Sequence, residues 1–172
     1  MKMREIKFRA WDKFSEEMII VTEIDFFNKV ITALFRGHLE NKYEFDEVEL
    51  MQFTGLLDKN GKEIYEGDIV RYTSNERIGT RGNYKNSYSV YGDVEITGVV
   101  KFGNIEHHHD YKHILAFFVD SNDSISYDSY FYSDSKNRGP QKHTSKLTKP
   151  LLLKKEYEVI GNVYEGLLEE SK

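Results

Sequence analysis

The 172-residue chain has no cysteine and only two prolines. The absence of cysteine excludes a disulfide framework, thiol catalysis and any cysteine-based zinc site. It also makes a reducing compartment the simpler expectation. No such staple is needed, because a chain of this length can bury a sizeable core as one domain, with or without a small subdomain. Long apolar runs are missing as well. The longest, Ile114-Leu115-Ala116-Phe117-Phe118-Val119, has the length of a buried strand. It falls far short of the roughly 20 residues that span a bilayer. The opening Met1-Lys2-Met3-Arg4-Glu5 is charged and does not lead into an apolar signal-peptide core. A cytoplasmic protein with no membrane partner is therefore expected. Positive charge is scarce overall, with a formal net charge of −5 and a pI near 5.7. Attraction of the whole chain to nucleic acid is excluded on that ground, although local patches remain open. No dinucleotide-binding glycine signature, phosphate-binding loop or nucleophile elbow occurs.

What the chain does have is aromatic side chains, 14% of the residues, mostly Tyr and Phe. With so few prolines and no helical periodicity, this composition favours strands. Residues Ile6 to Ala10 alternate, with Ile6, Phe8 and Ala10 on one face and Lys7, Arg9 and Trp11 on the other. A polar turn over Asp12–Glu17 and a return at Met18–Val21 predict an N-terminal hairpin. The stretch Ile24–Phe35 reads as strands hinged at Asn28-Lys29, with a short helix as the alternative. Tyr43–Phe53 reads as one further strand. Asp58-Lys59-Asn60-Gly61-Lys62 is the strongest turn signal, since Asn-Gly tolerates the positive φ of tight hairpins. Glu66-Gly67-Asp68 is a second turn that launches Ile69-Val70-Arg71-Tyr72. Thr73–Asp93 and Ser121–Pro150 are polar and read as long loops. Strands are expected at Val94–Phe102, Ile114–Val119, Leu151–Leu153 and Val159–Tyr164, and Gly166–Lys172 reads as an acidic tail with a helical turn.

Four segments in this order resemble the YopX-like proteins, a family encoded mainly by phages and prophages. They are Met3-Arg4-Glu5-Ile6-Lys7-Phe8-Arg9-Ala10-Trp11-Asp12; Met51 to Val70, with Gln52-Phe53-Thr54-Gly55-Leu56 and Ile64-Tyr65-Glu66-Gly67-Asp68-Ile69-Val70; Gly98-Val99-Val100-Lys101-Phe102; and Tyr157-Glu158-Val159-Ile160-Gly161-Asn162-Val163-Tyr164-Glu165. The resemblance implies a mainly β fold containing an SH3-like barrel or roll, preceded by an N-terminal β subdomain. On that basis residues 1–50 form the subdomain, and 51–166 form the barrel with loop insertions at 73–93 and 121–150. Residues 167–172 form the tail. It implies no activity and no cofactor.

Three groups of residues invite chemistry. His107, His109 and His113, in the run Glu106-His107-His108-His109-Asp110, have side chains that bind Zn²⁺ or Ni²⁺ as neutral imidazoles. The competing reading is a solvated connection between strands, and no further ligand or supporting shell is evident. Arg77, Arg81 and Lys85 interleave with Tyr84, Tyr88 and Tyr91, and a second basic run holds Lys142, Lys146 and Lys149. Basic groups neutralise phosphates while tyrosines stack on bases; two hydrated loops are the alternative. Glu63, Glu66 and Asp68 suggest acid–base or Mg²⁺ chemistry, but no base, nucleophile or phosphate loop accompanies them, and turn roles fit them better. The expected function is that of a non-enzymatic accessory module binding nucleic acid or a phage or host protein. The alternatives are a metal-binding protein or metal-dependent enzyme using residues 107–113, and a self-associating assembly component.

Overall fold

The computed structural model describes residues 5–81, 86, 88–106, 113–129, 141–151 and 156–167. All regular structure among them is β, and no helix is present. None of the described residues forms a helix long and apolar enough to cross a membrane. Twelve strands form two antiparallel sheets, ordered β4-β3-β2-β1-β5-β6 and β10-β9-β8-β7-β11-β12. The chain divides into two compact units, residues 1–68 with 159–172, and residues 69–158.

The first unit is built of consecutive hairpins. Strand β1 (Phe8–Asp12) pairs with β2 (Glu17–Asp25), placing Ala10 opposite Ile19. The expected alternation holds only in part: Ala10 is fully buried, with Arg9 and Trp11 half-buried on the other face, but Phe8 is also half-buried and Ile6 lies before the strand, 70% exposed. Asp12 fixes the first turn by accepting from the Phe14 amide at 2.9 Å and the Ser15 hydroxyl at 2.7 Å. The ambiguous segment after β2 is two strands with a hinge at the expected place. The Asp25 carboxylate accepts from the Phe27 and Asn28 amides, Lys29 turns at φ +57°, and β3 (Val30–Phe35) follows. Strand β4 (Leu39–Glu44) pairs with β3, and β5 (Val48–Leu57) returns beside β1. The single strand expected over Tyr43–Phe53 is thus broken at residues 45–47. There the Glu44 amide donates to the Glu47 carboxylate at 2.8 Å, and the Phe45 amide donates to the Lys29 carbonyl at 3.1 Å. Ala10, Ile19, Ile31, Ala33 and Val48 form the core of this unit.

Strand β6 (Glu63–Tyr65) closes the Asn-Gly hairpin. Its turn is longer than a two-residue one. The buried Asp58 carboxylate organises it, accepting from the Asn60 and Lys62 amides at 2.8 Å each and from the Val159 amide at 3.2 Å. Burial pushes the Asp58 carboxyl up, but the amides of Lys62, Val159 and Asn60 outweigh that and hold it below its ordinary range. Strand β11 (Glu158–Asn162) forms a hairpin with β12 (Gly166–Leu167), so the helical turn expected from Gly166 is a short strand at its start.

The second unit is dominated by β7 (Asp68–Arg81), β8 (Tyr88–Glu106), β9 (His113–Ser129) and β10 (Gln141–Pro150). Val70, Tyr72, Ile96, Val100, Val119 and Tyr157 are buried, and Tyr72 and Tyr157 meet edge to face at 5.1 Å. The polar stretches 73–93 and 121–150 read as loops in the sequence, yet strand pairing continues through 73–81, 88–93, 121–129 and 141–150. A two-stranded ribbon with polar residues along both strands shows no apolar alternation, so its sequence carries no strand signal. Neither sheet closes into a barrel, which corrects the expectation of closure. The physical reason lies in strand length and stagger. At 14, 19 and 17 residues, β7, β8 and β9 greatly exceed the ~5–6 usual for strands. They also slide past one another, because β8 gives residues 88–99 to β7 and 99–106 to β9. The outcome is an open sheet in which β7–β8 and β9–β10 pair beyond the stretch that β8 and β9 share.

Candidate functional site

Two regions concentrate polar chemistry. The first is a groove of about 720 Å³ in the first unit, whose lining includes Lys7 just before β1, Arg9 of β1, Ile20 of β2, and Glu63 and Tyr65 of β6. The Gly67 turn, at φ +82°, carries the chain from β6 into β7 and places Asp68 beneath Arg9. Arg9 donates to Asp68 at 2.6 Å, and its guanidinium lies 4.7 Å from the centre of the Tyr65 ring. The Tyr65 amide also donates to Asp68, at 2.8 Å. Above them Lys7 pairs with Glu63, and the Tyr65 hydroxyl donates to the same carboxylate at 2.7 Å. Asp68 is 1% exposed. Its burial pushes the carboxyl above its ordinary value, and Arg9 and the Tyr65 amide oppose that rise. Burial, then the Glu63 carboxylate, pushes the Tyr65 phenol up to about 12. Glu63 is held down, first by Lys7 and then by Tyr65. Each of the two carboxylates faces a base, Asp68 with Arg9 and Glu63 with Lys7, so the cluster ties β1 to β6 and the start of β7, while the buried Arg9 Nε has no hydrogen-bond partner. The turn role expected for Asp68 is what its geometry provides.

The second region is the outer half of the β7–β8 ribbon. Arg77 stands opposite Tyr91 and Arg81 opposite Tyr88. Ile78 is the extra residue of a bulge between Arg77 and Gly79. Its side chain lies over Gly92, where an added Cβ would come within 2.7 Å of it. Directly opposed residues share a face, and residues three apart on one strand do not. Arg77 and Tyr91 therefore occupy one face of the ribbon, with Arg81 and Tyr88 on the other. Tyr88 and Tyr91 are each 61% exposed, Arg81 is exposed and Arg77 is half-buried. No acidic residue occurs between Glu76 and Asp93 in the sequence, and those two are engaged with Lys149 and Asn75 respectively.

The other basic run is placed differently. Lys142 and Lys146 lie on β10, in register with Asp128 and Ser124 of β9, a strand that also carries Asp120 and Asp123. Lys149 reaches the Glu76 carboxylate at 3.1 Å. The structure thus places Lys142 and Lys146 on a different ribbon from Arg77 and Arg81, while Lys149 reaches Glu76, the neighbour of Arg77. Of the expected set, Arg77, Arg81 and Tyr88 lie on the β7–β8 ribbon; Tyr84 and Lys85 lie outside the described residues. So do His107 and His109, while the backbone of His113 opens β9 opposite Glu106. Among the described residues no three His, Asp or Glu side chains gather closely enough to hold a metal ion.

A family model described as "YopX protein" matches residues 7–126. The chain belongs to the YopX family. The matched segment of this YopX protein includes the β1–β6 cluster and the whole β7–β8 ribbon, and it ends before β10. The chain is similar to protein EF1440 from Enterococcus faecalis, known from a crystal structure, with 22% sequence identity over 94% of this chain and 95% of that one and a TM-score of 0.41. No curated protein matches the chain.

Two features of these regions carry no mark in the sequence. Nothing there distinguishes Arg9 from the other basic residues of the alternating first strand; its partner lies 59 positions away. The three-amide seat of Asp58 joins residues 101 apart. The Arg–Tyr pairing is different, since an interleaved basic and aromatic pattern was visible, while the strands that carry it and their register were not.

Proposed function

We propose that this YopX protein is a non-enzymatic binding module that holds a polyanionic partner, nucleic acid first of all, on the outer half of its β7–β8 ribbon. The observation that carries this reading is the cross-strand register of Arg77 with Tyr91 and Arg81 with Tyr88 in a segment free of acidic residues. Arginine supplies phosphate contacts in a planar fork, and exposed tyrosine supplies a ring face with a polar tip. The SH3-like roll implied by the resemblance belongs to the same proposal, with the Gly67-Asp68 turn as its opening. So does a phage or prophage setting, in which an accessory protein binds nucleic acid.

The test is a gel-shift series at low salt with a mixed pool of single-stranded and duplex oligonucleotides. A shift that fades as salt is raised is expected, because counterion release makes phosphate binding salt-dependent. No shift, or one indifferent to salt, would sink the reading.

A further inference from the structure

We infer that the ligand of this ribbon is duplex DNA, entered at its major groove, rather than a single strand; the inference rests on the polyanion-binding reading above. The deciding observation is how the aromatic residues are distributed. A single strand is held by stacking successive bases on aromatic rings that share one surface. Tyr88 and Tyr91 are exposed, but they sit three residues apart on a regular stretch of β8 and so point to opposite faces. They cannot form one stacking track.

The arginines follow the same split, Arg77 with Tyr91 and Arg81 with Tyr88. Among the described residues of this outer half, each face of the ribbon therefore carries one Arg and one Tyr. That arrangement matches a groove, where two phosphate walls flank the inserted element and each face meets one of them. Among the described residues, 88–98 of β8 pair with β7 alone, so no third strand borders this part of β8. A two-stranded ribbon fits the major groove of B-form DNA, roughly 12 Å wide. The deep, narrow major groove of A-form RNA does not admit it. The bulge at Ile78 raises the local twist, and Gly92 leaves room for its side chain, so the ribbon stays thin where it would enter. The β9–β10 ribbon lacks this pattern, since its basic strand is registered against one carrying Asp120, Asp123 and Asp128.

Fluorescence anisotropy on the full chain tests this, using a labelled DNA duplex, its separated single strand, and an RNA duplex of the same sequence, all at one low salt concentration. Tightest binding to the DNA duplex is expected. Arg81→Glu should weaken it about tenfold, the scale of one charge-assisted contact. Arg81→Gln and Tyr88→Ala should weaken it less, and unchanged melting temperatures would establish that these exposed positions leave the fold intact. Equal or tighter binding to the single strand or to the RNA duplex would overturn the groove inference and leave polyanion binding standing. Binding to none of the three would overturn both.

Discussion

Arg9 and Asp68 form the most demanding pair in the first unit. Asp68 is almost wholly inaccessible and the Arg9 side chain is 14% exposed, so both charges are largely removed from water and their contact at 2.6 Å must compensate. Breaking such a pair leaves a buried, uncompensated charge. Arg9→Leu is therefore expected to cost about 3–5 kcal/mol in urea unfolding at neutral pH. The sign of its pH dependence follows from Asp68, whose carboxyl is already raised by burial and loses the main group opposing that rise. A raised carboxyl binds its proton more tightly in the folded state, so its burden on stability is relieved as pH falls. The gap between variant and parent should shrink in mildly acidic buffer, and an unchanged gap would show that buried charge is not the cause. Gly67 was legible from sequence as the turn before Asp68. The identity of the partner was not, because a pairing across 59 positions leaves no local trace.

At the level of elements, short strands with strong turns were readable and long ribbons were not. The first hairpin, the Asn28-Lys29 hinge and the Asn60-Gly61 turn each combine local apolar alternation with a turn residue, and all three are present. The β7–β8 and β9–β10 ribbons have polar residues on both faces, and only their cross-strand partners define them as strands. In the second unit, Gly98 of β8 lies close against β9. An added Cβ there would lie 2.7 Å from Val119 Cγ1 and 2.8 Å from the Asp120 carbonyl oxygen, so backbone as well as side chain stands in the way. Gly98→Ala should destabilise the protein by about 1–3 kcal/mol in denaturant unfolding, the usual cost of overpacking. A variant as stable as the parent would mean that β8 and β9 can separate locally without penalty.

For the molecule as a whole, net charge and local charge make opposing predictions. The chain carries a formal −5, which repels nucleic acid at long range, while the outer ribbon is basic. If Arg77 and Arg81 are the phosphate contacts, the logarithm of DNA affinity should fall with the logarithm of salt at a slope of about −1.8, from roughly 0.9 per neutralised phosphate. A titration over a range of NaCl concentrations measures this slope, and a much steeper value would implicate basic residues beyond this pair. The sequence alone determined the mainly β class, the family, most of the turns and the interleaving of basic and aromatic residues. These are set by local composition, period and motif order, all of which the linear chain displays. Tertiary structure decided three other things. It left the sheets open, it set Lys142 and Lys146 against an acidic strand while leaving Arg81 unopposed, and it divided the tyrosines between two faces. Each of these depends on register and stagger between strands, which fix which residues meet and which leave no signature until the strands have paired.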